Sequence, residues 1–173
     1  AADGARARLI NRWEPLDPAT SLPDALAQLV RPSRVAVLLV RKAASAVGVA
    51  DGDELIVHRT SRHYVQSRTK AGGWSQQRYA RRRSHQADRA FAEAAEDAMD
   101  LLLPHLAELE TLVLGGDGAA VRAVLETPGL EQLRTLAESS RHPVYSVPDP
   151  NRGVLEGFGA TFRAVPIRLN QLA

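Results

Sequence analysis

The chain has 173 residues, 45% hydrophobic and 24% charged, values that fit one folded domain with a sizeable core and exclude wholesale disorder. It contains no cysteine, which removes disulfides, thiol nucleophiles and cysteine-type zinc sites together. The net charge of +2 conceals an asymmetry: between Arg59 and Arg89 nine basic residues face Asp88 alone, while the remainder holds thirteen basic and nineteen acidic residues. An acidic body with one basic segment implies a polyanion met on one face. The longest apolar run, VAVLLV at 35–40, falls well short of the ~18 residues of a membrane span. The opening AADGARARLINRW lacks the apolar stretch of a secretion signal, so a cytoplasmic setting without a membrane partner is expected.

Residues 1–33 read as an irregular or partly extended lead-in followed by a short helix. In SLPDALAQLV, Ser21 is placed to cap, Pro23 falls in the first turn, Asp24 follows three residues after the cap, and Pro32 ends the element. Three extended stretches follow at about 34–42, 44–50 and 54–66. The first is continuously apolar, as a strand buried on both faces should be. The ADGD turn at 50–53 joins the other two as a hairpin. After the basic stretch, Ala87, Phe91, Ala94, Ala95, Ala98, Leu102, Leu103 and Leu106 recur at three- and four-residue spacing, an amphipathic helix that Pro104 should kink or restart. TLVLGGDG is a strand with a glycine exit, AAVRAVLETPGLEQLRTLAES a helix pair broken at Pro128-Gly129, VYSV a strand, and DPNRGVLEGF a helix capped by Asp149. The tail ATFRAVPIRL is expected as an edge strand because of Pro166. Three antiparallel strands, then helix, strand, helix, strand, helix, is the order of an RNase H-like α/β mixed sheet, occupying 34–170 of a single domain over 1–173.

Enzyme chemistry has few footholds. A two-metal nuclease needs carboxylates from the first strand, the long helix and the fourth strand. VAVLLV carries none, leaving Asp117, Glu93 and Asp97 without a central ligand. The five histidines, His58, His63, His85, His105 and His142, show no HxxxH or HExxH spacing. No serine sits in GxSxG. LVLGGDGAAVRAV is neither GxxxxGK[ST] nor a complete GxGxxG, and reads as a structural strand-to-helix turn.

The remaining stretch is KAGGWSQQRYARRRSHQ, residues 70–86. Trp74 and Tyr79 interleave with Lys70, Arg78, Arg81, Arg82 and Arg83, the combination that stacks on unpaired bases while neutralising phosphate. A solvated basic loop and helix start, with Gly72-Gly73 only permitting a turn, is the bland alternative. A loop over 70–77 is expected, mobile in the free protein and ordered on RNA.

Gly72-Gly73-Trp74-Ser75-Gln76-Gln77 followed by Arg78-Tyr79-Ala80-Arg81-Arg82-Arg83 resembles the catalytic central domain of eukaryotic and archaeal class 1 release factors, where Gly-Gly and Gln leave the third strand of an RNase H-like domain. The longer pattern, Ser-Gln and a basic helix, is more similar to the VLRF family, the Vms-type release-factor-like peptidyl-tRNA hydrolases of ribosome quality control. The Arg-rich, Cys-free composition suits an actinobacterial member. The order of elements matches over about 30–170, the motif over about a dozen residues. Trp74 and Ser75 separate Gly73 from the first glutamine, so the contiguous Gly-Gly-Gln triplet is absent.

The resemblance implies hydrolysis of the peptidyl-tRNA ester on the large ribosomal subunit by a monomer contacting rRNA and tRNA, with no metal or organic cofactor. It also implies no codon reading, since no stop-codon-reading domain is visible. Gly72 and Gly73 would let backbone enter a narrow RNA-lined cavity. Gln76, with Gln77 as second choice, would position water and support the oxyanion, a glutamine amide being no general base at pH 7. Lys70, Trp74, Arg78, Tyr79, Arg81, Arg82 and Arg83 would hold RNA. Two other readings stay open: a non-catalytic RNA- or ribosome-binding module using the basic 59–89 face, and a metal-dependent nuclease.

Overall fold

The computed structural model describes residues 4–13, 15–17, 19–63 and 74–171, with side chains described for all of these except 74–85. In chain order the elements are β1 (Ala7–Leu9), α1 (Leu22–Leu29), β2 (Arg34–Arg41), β3 (Ala44–Asp51), β4 (Glu54–Arg62), α2 (Trp74–Leu102), a 3₁₀ turn (Leu103–Glu108), β5 (Thr111–Gly116), α3 (Gly118–Leu125), α4 (Glu131–Ser139), α5 (Arg152–Arg163) and β6 (Ile167–Leu169). The main sheet has the order β4-β3-β2-β5. Its first three strands are antiparallel neighbours, and β5 pairs parallel to β2, with Val35 opposite Thr111 and Val40 opposite Gly116. This is the expected RNase H-like mixed sheet.

The apolar run in β2 is explained by its central place, since Val35 through Val40 are at most 2% exposed. Strand alternation splits them between two cores. Ala36, Leu38 and Val40 meet Ala94, Ala98 and Leu102 of α2, Val121 and Val124 of α3, and Leu133 of α4. Val35, Val37 and Leu39 meet Leu155, Phe158 and Phe162 of α5. Beside this second core an aromatic group forms: Trp13 stands edge-on to His142 at 4.9 Å between ring centroids, and Tyr145 edge-on to Phe158 at 5.4 Å. Burial, with the Arg12 guanidinium as a lesser cause, pushes the His142 pKa down to about 4.

Several boundaries move for local reasons. Ser21 caps α1 as expected, accepting from Asp24 N at 3.3 Å. Helix α5 is capped by Asn151, whose Oδ1 accepts from Val154 N at 3.0 Å. Asp149, the expected cap, instead pairs with Arg41 at 3.2 Å. VYSV is reduced to one parallel bridge, Tyr145 with Gly115, because Pro143 and Pro148 on either side have no N–H to extend a ladder. The tail does form a strand, but β6 pairs with β1 in a separate two-stranded ribbon, drawing the lead-in's extended part to the far end of the chain. Pro104 restarts the chain as a 3₁₀ turn.

Candidate nucleic-acid interface

β2, β4 and β5 all run toward one edge of the sheet, ending at Arg41, Arg62 and Gly116. The N–H of His63 donates to Ala43 O at 2.8 Å, tying the exit of β4 to the β2–β3 turn. At the same edge Gly116 adopts φ 105°. Asp117 then caps α3, its Oδ1 accepting from Ala119 N at 2.9 Å. The glycine pair is therefore the structural turn expected from the sequence, with its carboxylate engaged.

The main departure from expectation lies at α2. It begins at Trp74, so Trp74, Gln76, Gln77, Arg78, Tyr79, Arg81, Arg82 and Arg83 stand on its first three turns, whereas a loop was expected as far as 77. Lys70, Gly72 and Gly73 lie outside the described residues, as do the side chains of 74–85. Sequence periodicity missed this start because the apolar stripe begins only at Ala87; polar and basic residues propagate a helix without one. At 29 residues, α2 is about 43 Å long, whereas the eight-residue β2 spans about 26 Å. The first buried side chain described on α2 is Ala90, about 24 Å along the axis from Trp74. Ala94, Ala95, Ala98 and Leu102 pack this part of the helix into the hydrophobic core.

Helical periodicity of about 100° per residue sorts the upper half. Positions 76, 80 and 83 continue the line of Ala87 and Ala94, the core-facing side. Positions 74, 78, 81 and 82 fall on the opposite side. One aromatic and three arginine positions therefore share a face, and the helix start adds a positive dipole end with N–H groups that lack intrahelical acceptors.

Below these turns a polar seam joins β4 to α2. Arg59 Nη1 donates to Asp97 Oδ1 at 2.8 Å and to Asp100 Oδ2 at 3.2 Å, and Ser61 Oγ donates to Asp97 Oδ2 at 3.0 Å. His63 Nδ1 lies 3.4 Å from Glu93 Oε2. These hydrogen bonds, Asp97 first and then Asp100, raise the Arg59 pKa above its ordinary value. Arg59 therefore neutralises acids of its own fold, and the usable basic face is smaller than the 59–89 count. By contrast, Lys42 in the β2–β3 turn and Arg62 at the end of β4 are exposed and have no ion-pair partner among the described residues. Sequence reasoning overlooked Lys42, which the β2–β3 turn brings to the same end of the sheet as Arg62.

Of the nuclease candidates, Asp97 is 5% exposed and bound within the seam, and Asp117 is a helix cap. No three His, Asp or Glu side chains gather at metal-binding spacing among the described residues. Among those residues no helix is long and apolar enough to cross a membrane.

Comparison with known proteins places these features. The model of the Actinobacteria/chloroflexi VLRF1 release factor family matches residues 33–168. Peptide chain release factor subunit 1 of Aeropyrum pernix is 30% identical over 95 residues, which are 53% of this chain and 25% of that protein. The crystal structure of the archaeal translation termination factor aRF1 superposes with a TM-score of 0.53 at 20% identity, covering 71% of this chain and 32% of that one. A structure described as an archaeal protein gives 0.50 at 17% identity with the same coverage. The chain thus spans about a quarter to a third of the relatives it matches, and the structural likeness concerns the fold.

Proposed function

Since the chain belongs to the Actinobacteria/chloroflexi VLRF1 release factor family, we propose that it is a stop-codon-independent, release-factor-like hydrolase. It cleaves the peptidyl-tRNA ester on stalled large ribosomal subunits, in the cytoplasm, as a monomer and without metal or organic cofactor. The observation that carries this reading is that the Gln-bearing, arginine-rich segment forms the first turns of a single helix about 43 Å long. One rigid element carrying both the glutamines and the arginines suits recognition of a confined, RNA-lined centre.

Water attacks the ester carbonyl carbon, the bond to the tRNA ribose oxygen breaks, and that oxygen takes up the proton; the products are a peptide carboxylic acid and free tRNA. Gln76 orients the water, its neutral amide accepting from the water and donating to the developing oxyanion. Its place in the first turn adds an N–H without an intrahelical acceptor. Gln77 is the alternative carrier. Gly72 and Gly73 shape the approach of the backbone. Lys70, Trp74, Arg78, Tyr79, Arg81, Arg82 and Arg83 grip rRNA and the tRNA acceptor end, with Lys42 and Arg62 extending that grip onto the sheet edge. Orientation of a bound water can supply up to ~7–11 kcal/mol at ideal geometry, so no acid–base dyad is required.

The test is release of a labelled nascent peptide from tRNA on stalled large subunits, comparing wild type with Gln76→Ala, Gln77→Ala and an Arg81/Arg82/Arg83 triple alanine. Release lost in one glutamine variant that still binds identifies the hydrolase and its water-orienting residue; the triple variant should lose binding. Intact ester with tightly bound wild type would sink the enzyme and leave the RNA-binding module, for which both glutamines are replaceable.

A further inference from the structure

Counted along the chain, the residues outside 59–89 are net acidic, yet the fold gathers several of their arginines at one place. In the β1–β6 ribbon Arg8 stands directly opposite Arg168, Ala7 opposite Leu169 and Leu9 opposite Ile167. Asn170 N donates to Arg6 O at 3.1 Å and Ile10 N to Pro166 O at 2.9 Å, which continues the ladder at both ends. Strand alternation then puts Arg6, Arg8 and Arg168 on one face and Leu9, Ile167 and Leu169 on the other. All three arginines are exposed, and none has an ion-pair partner among the described residues. Like charges set directly opposite destabilise a strand pair, and a two-stranded ribbon is marginal by itself. No acid among the described residues relieves that cost. A row of phosphates would, since guanidinium groups fork onto phosphate oxygens.

The same strand leads into a pocket. Three residues after β1, Arg12 lies over Tyr145, 5.5 Å from the ring centroid, and its Nη1 donates to the Tyr145 hydroxyl at 2.7 Å. Arg12, Trp13, Thr111, Ser140 and Arg141 line a pocket of about 360 Å³, within the ~300–1,000 Å³ of small-ligand sites. Its acid, Glu110, is already forked by Arg31 at 3.0 and 2.7 Å. Neither Arg12 nor Arg141 has an acid partner among the described residues. An aromatic wall beside such arginines suits an unstacked nucleotide. Thr111 opens β5 opposite Val35, so the pocket lies at the other end of the sheet from Arg41, Arg62 and Gly116. The eight residues of β2 set that separation at about 26 Å.

We propose that the arginine face of the β1–β6 ribbon and the adjoining pocket form a second RNA-binding surface. The ribbon follows phosphates, and the pocket takes one unpaired nucleotide between Trp13 and Arg141. This goes beyond the hydrolase reading: it adds a contact at the end of the domain remote from the glutamines and needs no chemistry there. Two contacts a sheet length apart fix the orientation of the domain on RNA, where one contact would leave it free to pivot.

The test compares Arg8→Ala/Arg168→Ala and Arg141→Ala with their parents in binding isolated large subunits across a salt series. The same changes in the Arg81/Arg82/Arg83 triple-alanine background, where the upper face no longer competes, are tested on a labelled, bromouridine-containing single-stranded RNA. The ribbon variant should weaken both interactions about tenfold and make the fall of log affinity with log salt shallower by about 1.4, two contacts at ~0.7 each. Because it removes a like-charge pair, its melting temperature should hold or rise. Arg141→Ala should weaken binding about threefold, and ultraviolet crosslinking should join the bound RNA to the peptide bearing Trp13. Unchanged affinity of the ribbon variant in both assays overturns the proposal, as does weaker binding accompanied by a lower melting temperature. Retained RNA affinity with lost binding to phosphatidylserine vesicles also overturns it, making the ribbon a membrane face. If wild type releases no peptide while the ribbon variant still loses RNA, the hydrolase reading fails and this surface stands; normal release with unchanged RNA affinity removes this surface alone.

Discussion

Asp97 is where the nuclease reading and the observed fold make opposite demands, so its replacement is informative. The side chain is 7% exposed and accepts from Arg59 at 2.8 Å and Ser61 at 3.0 Å. In Asp97→Ala both donors lose their acceptor. Arg59 is 46% exposed, so water re-solvates it and its loss adds little. Ser61 is half-buried and its lost hydrogen bond costs about 1–1.5 kcal/mol. That cost, about 1–1.5 kcal/mol, corresponds in a domain of this size to a fall in Tm of roughly 2–6 °C. Asp97→Asn keeps an acceptor of the same shape while losing charge, and should cost about half as much. Thermal and urea unfolding followed by far-ultraviolet circular dichroism measure both, with an unchanged urea m-value showing that the unfolded state is the same. Melting of Asp97→Ala within 1 °C of wild type refutes the energetic argument. Magnesium-dependent RNA cleavage that disappears in Asp97→Asn without loss of stability would revive the nuclease.

Two further predictions concern the scaffold. A Cβ at Gly116, whose φ is 105°, would lie 2.1 Å from Val40 O, so Gly116→Ala should cost at least ~3 kcal/mol; Gly118→Ala, with nothing within 4 Å, should be neutral or slightly stabilising, and paired thermal melts check both. The depressed pKa of His142, about 4, means that the unfolded chain binds a proton here between about pH 6.5 and 4 while the folded one does not. Stability from this group is therefore complete above about pH 6.5 and declines as pH falls through that window, by about 1–2 kcal/mol after discounting for the ring's partial contact with water; His142→Asn should flatten the curve of Tm against pH there.

The strands were legible because their signals are local. VAVLLV is apolar on both faces, and the glycine of ADGD, φ 56° in the structure, closes the hairpin. Misreadings arose where a distant partner competed with a local one. Asp149 has the sequence of a cap, but Arg41 draws it away and Asn151 takes the role. VYSV has strand composition, but the flanking prolines leave it one bridge. The basic stretch had the clearest composition and the least clear conformation, because nothing in Trp74–Gln86 alternates apolar with polar at helical spacing.

The sequence by itself determined the fold class, the family and the identity of the basic, Gln-bearing segment, because these follow from residue types, short-range spacing and a contiguous motif. Tertiary structure decided which charges are free. Arg59 and Arg62 are three residues apart on one strand, yet Arg59 is bound to Asp97 and Asp100 of α2 while Arg62 stands exposed at the end of β4. It also decided that the proposed catalytic turns begin a helix joined to β4 by a polar seam. Neither could be read along the chain, because an ion pair between residues 38 apart depends on the packing of strand against helix and leaves no trace in local spacing.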